Sequence, residues 1–272
     1  MTSRQHAEVI GDPIAQSLSP AIHNFWLEAL KIEADYGRRQ ITRAGLKDYL
    51  DEASADGNWR GCNVTMPLKL DALTLADEAS DRALGTGAAN IIVPREGKLL
   101  VGNTDVGAVT KLIEHMARGG AAMGSVTVLG SGGGARAVLM ALHLIGFRMV
   151  RIQSRNVGEA FALAVQHGLK VEPVEFDAPI EGDGLINATP LGMTGQLPLD
   201  IDISAMAKGG WVIDLITSPN PTQLVRTALA RGLTAVGGLG MLVEQAAESF
   251  KLFFGQEPPR DKDAELMARL SA

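Results

Sequence analysis

The sequence predicts an α/β protein of two domains, each built on a mostly parallel sheet. Three observations carry that prediction. β-branched apolar runs recur along the chain with helix-length segments between them, the pattern of βαβ units. At 272 residues the chain has room for two ordinary domains. Past the first third, the run Val126-Thr-Val-Leu129 leads into Gly130-Ser-Gly132-Gly-Gly-Ala135, and the glycines lead into an apolar helix-forming stretch that ends near Phe147.

Composition narrows the class. Hydrophobic residues make up 46% and charged residues 21%, so the chain can build sizeable cores. A net charge of −6 argues against non-specific binding to nucleic acid or anionic membranes. No apolar run reaches the length of a membrane span, and Met1 to Glu8 has no apolar signal region. The expectation is a soluble cytoplasmic protein, monomer or homodimer, whose partner is a small molecule. Cys62 is the only cysteine, which excludes a disulfide within the chain and a cysteine-based metal site. The five histidines (His6, His23, His115, His143 and His167) show no ligand spacing. His143, within the helix after the glycines, reads as a packing residue.

The elements follow in order. Glu8-Val-Ile10 is a short strand. Gln16-Ser17-Leu-Ser19-Pro20 then opens a helix through Leu30, with Ser19 as the natural N-cap and Pro20 at N1. The two serines serve either as turn and cap or as a carboxylate site at a helix N-terminus. Ala34 to Ile41 reads as a strand, Ala44 to Ala53 as a helix and Gly61 to Thr65 as a third strand. Met66-Pro-Leu-Lys69 begins a helical stretch to Ala76. A lysine at that position opposes the helix macrodipole, which hints at a use, although position alone reads first as a surface lysine. Leu84 to Asn90 is rich in Gly and Ala. Ile91 to Pro94 and Lys98 to Val101 flank Arg95-Glu-Gly97, a hairpin signal. A helix from Val106 to about Arg118 ends at Gly119-Gly120.

Gly130-x-Gly132-x-x-Ala135 fits the Rossmann-type dinucleotide fingerprint, in the correct strand–helix setting. Gly130 permits the tight turn. Gly132 lets a pyrophosphate approach the backbone, and Ala135 lets the helix pack close. The helix N-terminus offers free N–H groups and the positive end of its dipole. The next strand, Met149 to Gln153, ends at Ser154-Arg155-Asn156. An acidic residue near that point would hold the ribose 2′-OH of NAD; a cation there suits the 2′-phosphate of NADP. Helix 157–167, strands 171–176 and 184–187, strand Trp211 to Asp214, helix Thr222 to Arg231 and strand Thr234 to Val236 complete this part. Gly237 and Gly238 precede an amphipathic helix to Phe254, and Asp261 to Leu270 is the last helix. The expected domains are residues 1–105 with 238–272, and residues 106–237. The terminal helices would return to the first domain and leave a cleft between the two.

Taken together, the motifs resemble the shikimate dehydrogenase family. Ser17-Leu-Ser19-Pro is similar to that family's carboxylate-binding turn, and Asn63-Val-Thr65-x-Pro-x-Lys69 to its catalytic motif. Gly87-Ala-Ala-Asn90, Asn103-Thr-Asp105, Asn187-Ala-Thr-x-x-Gly-Met193 and Gly240-Met-Leu-Val-x-Gln245 follow in the family's order. The resemblance implies reversible reduction of 3-dehydroshikimate with NADP as cofactor, NAD being possible. It implies Lys69 as general acid and Asp105 as the partner that favours its charged form. Ser17, Ser19, Thr65, Asn90 and Gln245 would bind substrate. Gly130, Ser131, Gly132, Gly133, Gly134, Ala135, Ser154, Arg155 and Gly238 would bind the cofactor.

There are departures. Ser154-Arg155-Asn156 stands where the family commonly has Asn-Arg-Thr, and Gly158 and Glu159 stand where a second basic residue often follows. Thr217 stands where a substrate-facing Tyr is frequent, and Gly237 where an Asp often precedes the Gly-Leu-Gly-Met run. They leave quinate and aminoshikimate as alternative substrates on the same scaffold. A regulator without chemistry is a remoter alternative, since it would need neither Lys69 nor Asp105.

Overall fold

The structure is a computed structural model that describes residues 4–175 and 178–271. The side chains of Val157, Glu159, Ala160, Leu163, Ala164 and Pro173 are outside that description. The chain divides into two compact units, one running to Thr104 and resuming at Val243, the other spanning Asp105–Leu242.

The first unit opens with β1 (Gln5–Gly11), α1 (Ser19–Leu30), β2 (Ala34–Gln40), α2 (Leu46–Ser54) and β3 (Trp59–Val64). It continues with α3 (Lys69–Thr74), β4 (Glu78–Ala79), α4 (Asp81–Thr86), β5 (Ile91–Arg95) and β6 (Lys98–Gly102). Its sheet has the order β2-β1-β3-β5-β6-β4. β1 is parallel to β2 and β3, and β4 to β6, while β5 is antiparallel to both β3 and β6. The reversal comes from the hairpin. Arg95 pairs with Lys98, and the two turn residues, Glu96 (φ 53°) and Gly97 (φ 77°), both lie in the left-handed region that a type I′ turn requires. The core gathers Ile10, Leu46, Tyr49, Trp59, Leu68 and Ile92, all buried.

The second unit begins within α5 (Thr104–Arg118). It carries β7 (Val126–Leu129), α6 (Gly133–Ile145), β8 (Met149–Gln153), α7 (Val157–Gln166), β9 (Lys170–Val174), β10 (Gly182–Asn187), β11 (Met206–Asp214), α8 (Gln223–Ala230) and β12 (Thr234–Val236). Its six strands are all parallel, in the order β12-β11-β10-β7-β8-β9. The strand order reverses between β7 and β10, where open α/β sheets bind ligands beyond their carboxyl ends. Val128, Val138, Leu142, Ile186 and Ile213 fill the core between sheet and helices. α9 (Gly238–Phe254) follows, then a 3₁₀ turn at Arg260–Lys262 and α10 (Asp263–Leu270).

Several expectations are corrected. Ser19 is not the N-cap of α1: Leu18 is, and no side chain caps that end. The Ser17 hydroxyl instead accepts from the Ser19 N–H at 3.3 Å, so the turn is held one step earlier than a serine cap would hold it. The last helix starts at Asp263 rather than Asp261, after the 3₁₀ turn. β4 and α4 were not expected. Ser80 caps α4 by accepting from the Ala83 N–H, and Gly87 ends it at φ 63°. The strand expected at 171–176 covers Lys170–Val174, with Phe176 outside the described residues. His143 is exposed, not packed; His23 is the histidine fully buried in the core of the first unit.

Candidate active site

In the first unit the predicted substrate residues converge on one edge of the sheet. β1 and β3 are parallel, so the segment after Gly11 and the segment after Val64 leave the sheet side by side. They leave in close contact: a Cβ on Gly11 would meet the Thr65 methyl at 2.5 Å and the Met66 carbonyl at 2.7 Å. The first segment carries Ser17 and Ser19, the second Thr65 and Lys69. β5 is antiparallel to β3, so its start lies at the same edge. There the Asn90 carbonyl accepts from the Val64 N–H at 2.8 Å. The end of β6 returns to this edge as well, because the Asn90 N–H donates to Gly102 O at 3.0 Å.

The side chains there are held by specific partners. Lys69 is the first residue of α3 and half-buried, and its carbonyl accepts from the Ala89 N–H at 2.7 Å. Asn90 is buried; its amide donates to the Thr104 hydroxyl at 2.9 Å, and its carbonyl oxygen accepts from the Thr104 N–H at 2.7 Å. The Thr104 hydroxyl in turn reaches Gln245 Oε1 at 3.5 Å. Ser19 is buried, and its hydroxyl does no capping work. Of the two readings left open by the sequence, the one in which this hydroxyl caps the helix therefore drops out. A groove of about 400 Å³ near Lys47, Asp51 and Lys98 lies by the hairpin, at the other end of β5 from Asn90. Its lysines are paired with Asp51 and Glu78, both at 2.6 Å. Cys62 is fully buried and burial pushes its thiol up, so it has no nucleophilic role.

In the second unit Asp105 is buried in the first turn of α5, where a carboxylate suits the helix dipole. The glycine loop joins β7 to α6 beside the strand-order reversal. Gly130 has φ 102°, and a Cβ there would meet the Thr189 methyl at 3.0 Å and Ala188 O at 3.2 Å, in the loop after β10. A side chain is thus barred twice, by backbone angle and by space. Gly132 faces open space, with nothing within 4 Å of a Cβ. It is the N-cap of α6, and the N–H groups of the first turn, from Gly133 to Ala135, have no acceptor within the helix. An open glycine cradle at the N-terminus of a 13-residue helix fits a pyrophosphate. Ala135 is fully buried against the sheet. Ser154, buried, donates to the Ser131 hydroxyl at 3.1 Å and accepts from the Asn156 N–H, which ties the end of β8 to the glycine loop. Arg155 beside it is exposed.

Gly238 has a packing reason of its own. A Cβ there would meet Leu215 O at 2.3 Å, and the Gly238 N–H donates to Ile216 O. At Gly237 a Cβ would come within 3.2 Å of the Asn220 side-chain oxygen. Among the described residues no group of three His, Cys, Asp or Glu side chains is placed to hold a metal, and no helix is long and apolar enough to cross a membrane.

The comparisons with known proteins extend over nearly the whole chain. A family model described as the shikimate dehydrogenase substrate binding domain matches residues 9–92, and one for the shikimate 5′-dehydrogenase C-terminal domain matches residues 238–267. A curated relative from Sphingopyxis alaskensis, shikimate dehydrogenase (NADP(+)), is 46% identical over 98% of this chain and 97% of its own. This chain belongs to the shikimate dehydrogenase family. Among solved structures, the shikimate 5-dehydrogenase of Thermus thermophilus in complex with NADP(H) and shikimate superposes with a TM-score of 0.83 at 35% identity, covering 98% of this chain and 99% of that one. The scaffold also carries other chemistry. A 5-ketofructose reductase from a Gluconobacter species has a TM-score of 0.86 at 25% identity, over 99% of this chain and 100% of that one.

The shikimate dehydrogenase motifs hide a second set of residues that no motif pointed to. Asp214, fully buried at the end of β11, accepts from Asn187 Nδ2 at 2.9 Å, the Thr222 hydroxyl at 2.7 Å and the Ile216 N–H at 3.2 Å. Burial pushes its carboxyl above the ordinary range, and the three donors pull against that. Tyr36 and Ser249 are likewise buried and bonded to motif residues. Only the pairing of distant strands reveals them.

Proposed function

We propose that this chain catalyses the reversible NADPH-dependent reduction of 3-dehydroshikimate to shikimate, a step of chorismate and aromatic amino-acid biosynthesis. The observation that carries the reading is the convergence of Ser17, Ser19, Thr65, Lys69 and Asn90 on one edge of the first sheet. It is supported by a second unit whose glycine cradle opens at a strand-order reversal. Bound NADPH supplies the hydride. Lys69 donates a proton to the substrate oxygen as negative charge develops there, and recovers one from solvent. Asp105 is the partner that holds Lys69 in place for that transfer. Ser17 and Ser19 hold the carboxylate. Thr65, Asn90, Asp105 and Gln245 hold the ring hydroxyls, an arrangement that rejects analogues lacking them. Gly130 through Ala135 hold the pyrophosphate, Ser154 fixes that loop, and Arg155 reads the 2′-phosphate. Residues 1–105 with 238–272 form the substrate domain and 106–237 the cofactor domain. The same reading places the work in the cytoplasm, where NADPH is regenerated, by a monomer or homodimer.

The deciding experiment compares kcat/KM for shikimate and quinate, each with NADP and NAD. Shikimate with NADP should lead. Quinate ahead of shikimate would move the assignment to the sister activity, which Thr217 and Gly237 leave open by departing from the family pattern. Arg155→Ala should raise KM for NADP and leave NAD kinetics nearly unchanged; equal losses with both cofactors would remove Arg155 from the 2′-phosphate. Ser19→Ala should weaken shikimate binding by about 1–3 kcal/mol, as expected for a hydroxyl bonded to an ionised group. If Ser19 were merely structural, the melting temperature would fall and KM would hold.

A further inference from the structure

We propose that Ser249 is a positioning residue for substrate binding, which sets Gln245 by locking one turn of α9 to β3 through Asn63. The proposal rests on the reading that Gln245 contacts substrate.

Ser249 is four residues beyond Gln245 in α9, on the same face of the helix, and is fully buried. Serine gains little in a helix interior, and its hydroxyl tends to turn back on the carbonyl one turn earlier. Here it does so: the hydroxyl donates to the Gln245 carbonyl at 3.0 Å. Its one proton is thereby committed, so towards any other group it can only accept. The group it meets is the Asn63 amide nitrogen, at 2.8 Å.

Asn63 lies in β3, two residues before Thr65, and its amide is engaged on every side. Its nitrogen also donates to the Asn90 carbonyl at 3.3 Å, and its oxygen accepts from the Tyr36 hydroxyl at 2.7 Å. All these bonds run in one sense: Tyr36 to Asn63, Asn63 to Ser249, Ser249 to Gln245. No member can rotate without leaving a buried donor or acceptor unpaired, which costs more than an ordinary bond returns. Tyr36 is itself fixed by stacking on His23 at 3.9 Å. The chain of bonds therefore spans β2, β3, the residue before β5, and α9. It fixes the rotation of α9 about its axis at the turn from which the Gln245 side chain departs. Asn63 joins the same amide to Asn90, so two proposed hydroxyl-binding residues share one anchor.

The test is kinetic. Ser249→Ala should raise KM for shikimate by about 3- to 10-fold, the worth of one buried hydrogen bond, with kcat within about twofold and KM for NADP unchanged. Ser249→Thr, which keeps the hydroxyl, should restore most of the loss, and melting temperatures are measured alongside. A Gln245→Ala background supplies the second arm. There Ser249→Ala should change KM less than twofold, because its effect passes through Gln245. A lower melting temperature with unchanged KM would overturn the proposal, as would the full KM effect persisting in Gln245→Ala. If Gln245→Ala raises KM and Ser249→Ala does not, the site assignment stands and the positioning role falls. If Gln245→Ala leaves KM unchanged, the assignment of Gln245 falls and the proposal with it.

Discussion

Lys69→Ala should lower kcat by roughly 10²–10⁴, with KM for shikimate much less affected. Such a split marks an interaction made chiefly in the transition state. Lys69 begins α3, where its charge opposes the helix dipole, so the position is a poor one for a lysine that only decorates the surface. Its backbone is held by Ala89 and its neighbours by the contact between Gly11 and Thr65, so the substitution removes the amine and leaves the loop in place. Asp105→Asn should also reduce kcat. The double variant should be little worse than the poorer single one, because residues that act as a unit do not add. A folded, cofactor-binding Lys69→Ala protein with near-normal kcat would end its assignment as the acid.

The second large effect is on stability. His23 is fully buried, and among the described residues neither ring nitrogen has a hydrogen-bond partner. Its ring stacks on Tyr36 and meets the edge of Trp26 at 5.8 Å. Burial in this apolar nest lowers its pKa from 6.5 to about 3. The folded-state value is depressed, so between those limits the unfolded chain binds the extra proton. The stabilisation is complete above pH 6.5 and is lost as pH falls towards 3. The loss is about 2 kcal/mol at pH 5 and approaches roughly 4–5 kcal/mol near the folded value. His23→Phe keeps the stacked ring and abolishes the titration. Urea midpoints measured from pH 7 to pH 4 should fall steeply for the native protein and more gently for the variant. Parallel curves would acquit His23 of the acid sensitivity.

His23 also shows what was legible in the sequence and what was not. Ile22, His23 and Trp26 lie on one buried face of α1, a spacing already visible in the sequence, yet the sequence pattern points to His143 as the packed histidine. His143 lies near the C-terminal end of α6, on the turned-out face, where an apolar neighbourhood in sequence does not mean burial. The N-terminus of α1 departs from expectation for a related reason. Ser-x-Ser-Pro contains good cap residues, but which residue caps depends on where the chain enters the helix, and Ser17 takes the Ser19 N–H first. β4 and α4 escape a sequence reading because β4 is two residues long and exists only by pairing with Leu100 and Val101 of β6.

What the sequence determined by itself was local in origin. The strand, glycine turn and helix from Val126 to Ile145 follow from residues that are chain neighbours, as does the hairpin at Arg95–Lys98. Backbone angles and helix propensity act over a few residues, so they can be read in order. The motif residues could be named for the same reason, since each short pattern carries its own turn or helix start. Only the tertiary structure decided which of those residues face one another. The order β2-β1-β3-β5-β6-β4 brings the ends of β1, β3 and β6 and the start of β5 to a single edge. It also joins Tyr36, Asn63 and Ser249, up to 213 positions apart (249 − 36), through one buried amide. Those partners are chosen by burial, which demands that every enclosed donor find an acceptor wherever in the chain it lies.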